Sequence, residues 1–134
     1  MVNDACKRYV IIPLQLPDAL VKFINDPINY EITNALIPAH NIYQIHRLIT
    51  LCREALGEDG NFNWIDTRNI TDMSNLFEFD RIFNGHIELW DTSNVENMSY
   101  MFAWATSFNN PIKYWDVSNV KMMNGMFRYA ESFN

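Results

Sequence analysis

Written in rows of 25 residues, the chain from Ile65 to Asn134 aligns with itself without a gap. The first row reads IDTRNITDMSNLFEFDRIFNGHIEL, the second, from Trp90, WDTSNVENMSYMFAWATSFNNPIKY, and the third, from Trp115, WDVSNVKMMNGMFRYAESFN. Six columns keep one residue type throughout: Asp66/Asp91/Asp116, Asn69/Asn94/Asn119, Met73/Met98/Met123, Phe77/Phe102/Phe127, Phe83/Phe108/Phe133 and Asn84/Asn109/Asn134. A unit this short cannot bury its own apolar face, so neighbouring units have to stack into one continuous core. The expected fold class is therefore α/β, a leucine-rich-repeat-like solenoid of strand-turn-helix repeats. Residues 59–134 supply three repeats and residues 1–58 an N-terminal helical cap.

Within the middle copy, Val95, Met98, Met101, Phe102 and Ala105 follow helical spacing, which predicts a short helix. Ser93 with Glu96 reads as its capping box, with Asn69 and Ser118 as the caps of the other copies. Ile87–Trp90 and Ile112–Trp115 read as short strands, and Phe83–Gly85 and Asn109–Pro111 as turns. Alternation does not decide which strand residues face inward, because Trp64/Leu89/Tyr114 and Ile65/Trp90/Trp115 are both apolar columns.

The fixed polar columns have a structural reading. Stacked Asn69, Asn94 and Asn119 can satisfy backbone groups in the turns. Asp66, Asp91 and Asp116 are expected to accept from N–H groups two or three residues on, as Asx-turns. The alternative, a calcium-binding column, lacks the second row of acidic ligands that a hard cation needs.

Residues 1–58 carry no repeat. Ile42, Ile45, Leu48, Ile49, Cys52 and Leu56 mark an amphipathic helix preceded by Pro38 and stopped by Gly57. A weaker helix is expected from Asp18 to Ile24. The third copy stops before its next strand, so the expectation is either a fragment of a longer array or an open repeat that self-associates or is covered by another molecule.

Charge and motifs exclude several functions. The net charge is -6, and the repeats carry the excess acid, with ten acidic and five basic residues after Glu58. That disfavours nucleic acid and a polybasic membrane patch. Cys6 and Cys52 are far apart and read as reduced thiols with no zinc-ligand spacing. The N-terminus is a poor signal peptide, and the run from Tyr9 to Leu16 is too short to span a bilayer. A cytoplasmic location is expected on that basis. His40, His46 and His86 form no catalytic spacing, and no nucleophile, metal or phosphate-binding motif occurs. The expectation is a protein without enzymatic activity, cofactor or metal.

The rows WDTSNVENMSYMFAWATSFNNPI and WDVSNVKMMNGMFRYAESFN closely resemble the BspA-like leucine-rich-repeat family, which includes the mycoplasma lipoprotein-associated repeat of unknown function. The stretch Asp59–Thr67, followed by Ile70–Ser74, is similar to that family's first repeat, and the helix from Ile45 to Leu56 to its lead-in. The resemblance covers roughly residues 38–134. It implies a right-handed solenoid with no established catalysis, and a cell-surface or adhesin role as the alternative location and function. No catalytic or ligand residue transfers, because the shared positions build the stack.

Recognition is therefore expected where copies differ: Thr71/Glu96/Lys121, Glu78/Ala103/Arg128, Arg81/Thr106/Glu131 and Asn63/Glu88/Lys113. The column Phe79/Trp104/Tyr129, with Tyr100 and Tyr114, offers aromatic side chains that a protein or a sugar ring could engage. Partly buried ladder residues are the plainer account of that column. The candidate partner surface is Tyr100, Trp104, Tyr114, Tyr129, Glu96 and Lys121. A protein partner is the leading expectation and carbohydrate the alternative.

Overall fold

The structure, a computed structural model, describes residues 37–134. The expected helix at Asp18–Ile24 lies outside the described residues, as does most of the proposed cap. The chain begins with a short strand β1 (Ile37–Pro38), continues into a helix α1 (Ile42–Leu56) and returns to a strand β2 (Ile65–Asp66). β1 and β2 pair in parallel, Ile37 opposite Ile65.

α1 forms where its apolar spacing places it. Asn41 caps its start by accepting from the Gln44 N–H at 3.0 Å, and Gly57 ends it with a positive φ of 79°. A glycine is needed there because the left-handed region costs an L side chain about 1 kcal/mol or more. Ile45, Leu48 and Ile49 point from α1 into the same core as Phe62, Met73 and Phe77. On the helix's last turn, the Arg53 guanidinium binds both Asp80 and Glu58, tying α1 to the first repeat.

The repeat itself departs from the expected strand-turn-helix. No α-helix forms between Val95 and Ala105, nor in the matching parts of the other copies; each is a run of tight turns. The N–H of Met101 reaches the Met98 carbonyl, that of Ala103 the Tyr100 carbonyl, and that of Ala105 the Phe102 carbonyl, each spanning three residues. The third residue of the first and last of these turns has a positive φ: Asn75 and Phe79, Tyr100 and Trp104, Gly125 and Tyr129. That is the position a type II turn reserves for glycine or asparagine. A helix would point all its N–H groups along its own axis. Here the alternate ones point outward, to the next copy.

Those outward groups make the main joint. The N–H groups of Met73, Asn75, Phe77 and Phe79 donate to the carbonyls of Asn97, Ser99, Met101 and Ala103 at 2.8–3.0 Å. Those of Met98, Tyr100, Phe102 and Trp104 donate to Met122, Asn124, Met126 and Arg128 in the same register. The matching groups of Met123, Gly125, Phe127 and Tyr129 meet no backbone acceptor among the described residues. The expected strands Ile87–Trp90 and Ile112–Trp115 are turns as well, closed by the N–H of Trp90 on the Ile87 carbonyl and that of Trp115 on the Ile112 carbonyl, and the parallel pairing between copies is confined to isolated bridges elsewhere, such as Asn61 to His86.

Side chains stack on the same register. Phe77, Phe102 and Phe127 lie nearly parallel at successive spacings of 5.4 and 5.5 Å, and Phe83, Phe108 and Phe133 at 6.0 and 5.8 Å. The two columns interlock, with Phe102 4.3 Å from Phe108. The open question of the strand column is resolved by hydrogen bonding. Trp90 and Trp115 turn inward, where their indole N–H groups donate to the carbonyls of Phe62 and Ile87 one copy earlier. Leu89 and Tyr114 consequently point out, while Trp64 in the same column is fully buried. Gly85 sits where a Cβ would come within 2.3 Å of the Phe62 ring, so this column position has no room for a side chain in the first copy.

The polar columns act as expected of turn residues. Asp66, Asp91 and Asp116 each accept from the N–H two residues on. The Asn94 and Asn119 amides donate to the carbonyls of Arg68 and Ser93 in the copy before, both at 2.6 Å. Ser93 caps no helix; its hydroxyl and N–H both bond Asp91. These Ser93 hydrogen bonds, the hydroxyl foremost, hold the Asp91 carboxyl below its ordinary range. A depressed folded-state pKa means the turn's contribution is present above the unfolded value of about 3.9 and is lost as pH falls through the folded one. Ser93→Ala should raise the Asp91 midpoint in an NMR carboxyl titration. An unchanged midpoint would remove the hydroxyl as its cause.

Candidate functional site

The six candidate residues do not form one site. Glu96 and Lys121 hold each other: the Lys121 ammonium lies 3.2 Å from the Glu96 carboxylate, and the Lys121 N–H donates to the Glu96 carbonyl at 2.8 Å. Both side chains are well exposed, so the pair adds little stability, roughly 0–1 kcal/mol. Its effect is to neutralise two charges that a partner would otherwise meet. Tyr114 stands apart, 82% exposed, in the same column as Leu89 at 77%. The two make an apolar stripe, and Lys113 places its ammonium 5.0 Å from the Tyr114 ring centre.

Tyr100, Trp104 and Tyr129 belong together on the edge formed by the turns. Tyr100 lies across Gly125, whose missing side chain leaves room for the ring: a Cβ there would come within 2.6 Å of it. Trp104 sits between Phe79 at 6.4 Å and Tyr129 at 4.3 Å, so three rings of three copies form one ladder. Phe79 and Tyr129 are more than half exposed, and Trp104 is half-buried between them.

Why bulky rings occupy left-handed positions follows from the joint. Each such residue puts its N–H onto a carbonyl of the next copy, as Phe79 does to Ala103 and Trp104 to Arg128. A buried, well-aligned hydrogen bond is worth about 1 kcal/mol, which offsets a conformational cost of similar size. The backbone conformation then swings the side chains to the rim.

Two cations complete this edge. The Arg81 guanidinium lies 5.6 Å from the Trp104 ring centre and that of Arg128 5.4 Å from Tyr129. Neither guanidinium has an ion-pair partner among the described residues, unlike Arg53, Arg68 and Lys121. The sequence placed both arginines in variable columns without linking them to the rings. The signal available was weak: Arg128 directly precedes Tyr129, and Arg81 follows Phe79 by two. The positive φ values had a better signal, since the Tyr100 column holds Asn75 and Gly125, the residues that tolerate them.

Chemically, the edge can offer ring edges, two unpaired guanidiniums and little else. Among the described residues there is no cluster of three or more His, Cys, Asp or Glu side chains placed to hold a metal ion. No helix among them is long and apolar enough to cross a membrane. No curated protein and no solved structure matches the chain. One family model does, over residues 46–134, and its description is a Mycoplasma protein of unknown function, DUF285.

Proposed function

We propose that this chain, which belongs to the Mycoplasma protein family of unknown function DUF285, is a non-enzymatic protein-interaction module. Its scaffold is a right-handed solenoid of the BspA-like leucine-rich-repeat kind, with residues 1–58 as its N-terminal cap. One observation carries the functional reading. The columns that do not vary are spent on the stack: Asp and Asn in turns and joints, Met and Phe in the core, with Met123 of the third copy exposed. Among what remains exposed are Thr71, Glu96, Lys121, Arg81, Arg128 and Glu131, all in columns that differ between copies, together with two aromatic or apolar stripes; of the varying columns, Asn63 and Ala103 are buried. In a stacked repeat such columns can change without harming the core, which suits them to recognition.

The alternative of a sugar-binding adhesin needs open ring faces, on which a pyranose can lie. In the ladder the faces of Trp104 are turned toward Phe79 and Tyr129, and Arg81 lies over the ring. Trp104 thus has edges, not faces, to offer.

The test uses immobilised protein and extracts of the source cells and of their host, with retained proteins identified by mass. Leu89→Ser combined with Tyr114→Ser removes one stripe without touching the core. The expected result is a defined partner retained by one or both stripes and lost when that stripe is altered, at unchanged thermal stability. Identical retention by the wild type, this variant and the ring-ladder variants below would end the proposal. So would turnover of a substrate that a single surface substitution abolishes.

A further inference from the structure

We infer that the Phe79–Trp104–Tyr129 ladder, with Arg81 and Arg128, is a docking strip for an acidic segment of a partner protein. This deepens the interaction reading and rests on it. Three observations point to the chemistry of the occupant.

The first is charge without a partner. In a chain of net charge -6, neither guanidinium on this edge makes an ion pair among the described residues. The nearby Glu78 carboxylate is occupied by the Asn75 amide at 2.6 Å. A guanidinium within cation–π distance of a ring, as Arg81 and Arg128 are, can still donate paired N–H bonds to a carboxylate.

The second is the orientation of the rings. Phe79 and Trp104 stack at an interplanar angle of 22°, and Tyr129 is tilted by 31° against Trp104 with the ring centres 4.3 Å apart. With the faces turned to one another, the ring edges look outward. An aromatic edge is the positive part of the ring quadrupole. Edges and guanidiniums therefore carry the same sign, and the strip as a whole attracts anions.

The third is the contrast with the rest of the surface. Of the other exposed cations on the repeats, Arg68 pairs with Asp66 and Lys121 with Glu96, while Lys113 has, like Arg81 and Arg128, only a ring beside it but stands apart from the ladder, against Tyr114. Repulsion from the chain's net negative charge is screened beyond about 10 Å at 0.1 M salt, so recognition here is local. Two cations on a strip three copies long suit two carboxylates of a peptide. They are too few for a nucleic acid, which presents a phosphate about every 3.4 Å along each strand.

The experiment measures binding of a hexaglutamate peptide to the full chain, read by the fluorescence of Trp104 above that of a Trp104→Phe control and by calorimetry. Expected is saturable binding that weakens with salt, falls roughly fivefold for each of Arg81→Gln and Arg128→Gln, and tightens in Glu131→Gln, which removes a carboxylate from the Arg81 column. Equal binding by wild type and the Arg81→Gln/Arg128→Gln double variant overturns the inference, as does the absence of binding at low salt. A sulfated oligosaccharide that binds as tightly as the peptide would also overturn it, since the strip would then read charge and not a protein segment. If the double variant still retains the partner captured by the wild type, this strip is excluded while the interaction reading stands. If neither protein retains any partner, the interaction reading itself fails.

Discussion

Met98→Asp leaves the protein unfolded. Met98 is fully buried in the middle copy, with a copy on either side. Its N–H donates to the Met122 carbonyl, and the Met101 N–H closes a turn on its carbonyl. A carboxylate at this position would lie in a core cluster made entirely of apolar side chains. An unpaired buried charge costs several kcal/mol even after its pKa has risen to let it protonate. A domain of this size has only about 5–15 kcal/mol in total, and part of that is lost with the methionine's own packing. The measurement is thermal melting by near-ultraviolet circular dichroism, sensitive here because of the stacked rings. A cooperative melt within a few degrees of the wild type would show that the column is not the core. Met123→Asp supplies the control. The same column is 46% exposed in the third copy, so the same change there should be mild.

Phe102→Ala should lower stability by about 3–5 kcal/mol, the range for removing a large buried aromatic. Phe102 occupies the crossing of both ring columns. It contacts Phe77 at 5.4 Å, Phe108 at 4.3 Å, Phe127 at 5.5 Å and Trp115 at 6.3 Å. None of these rings can slide into the space, since each is registered to its own copy by backbone hydrogen bonds. Denaturant unfolding with unchanged slope and a lower midpoint is the expected form of the result. Phe127→Ala should cost clearly less, because that ring belongs to the half-buried third copy. Equal losses at the two positions would contradict the stacking order.

The period was legible in the sequence because stacking demands it. Residues that meet their own counterparts must repeat, and Asp66, Asn94, Met98 and Phe102 do so without exception. The Asx-turns were legible for a similar reason, since an Asp two residues before a donor is a local, self-contained interaction. α1 could be read from Ile42 to Leu56 because its periodicity and its Gly57 stop agree, whereas its Asn41 cap was found only in the structure. The helix in each repeat was misread for a physical reason. Val95, Met98, Met101, Phe102 and Ala105 fit one helical face, but three overlapping turns place them inward just as well. Apolar spacing reports which residues face the core, and says nothing of where the N–H groups go. The strand column was undecidable from hydrophobicity alone. It was settled by the indole donors of Trp90 and Trp115, a hydrogen-bonding property that leucine and tyrosine cannot imitate at that site. Of the recognition edge, the rings were visible. Their coupling to Arg81 and Arg128 was not, because Arg81 meets Trp104 across two copies and both contacts involve aromatic residues with left-handed backbone, which propensity disfavours.

The joint between the turns has a direction. Its donors belong to the earlier copy and its acceptors to the later one, two residues apart and in constant register. Excision of Trp90–Tyr114 would bring the donors of the first copy against the acceptors of the third, an identical seam. Loss of a single residue inside the turns would instead turn alternate donors away from their acceptors. Genes for such proteins can therefore change length by unequal recombination in whole units while intermediate lengths are purged. Variation between relatives should consequently accumulate as numbers of repeats and as substitutions at the rim, with few frame-preserving gaps inside a repeat.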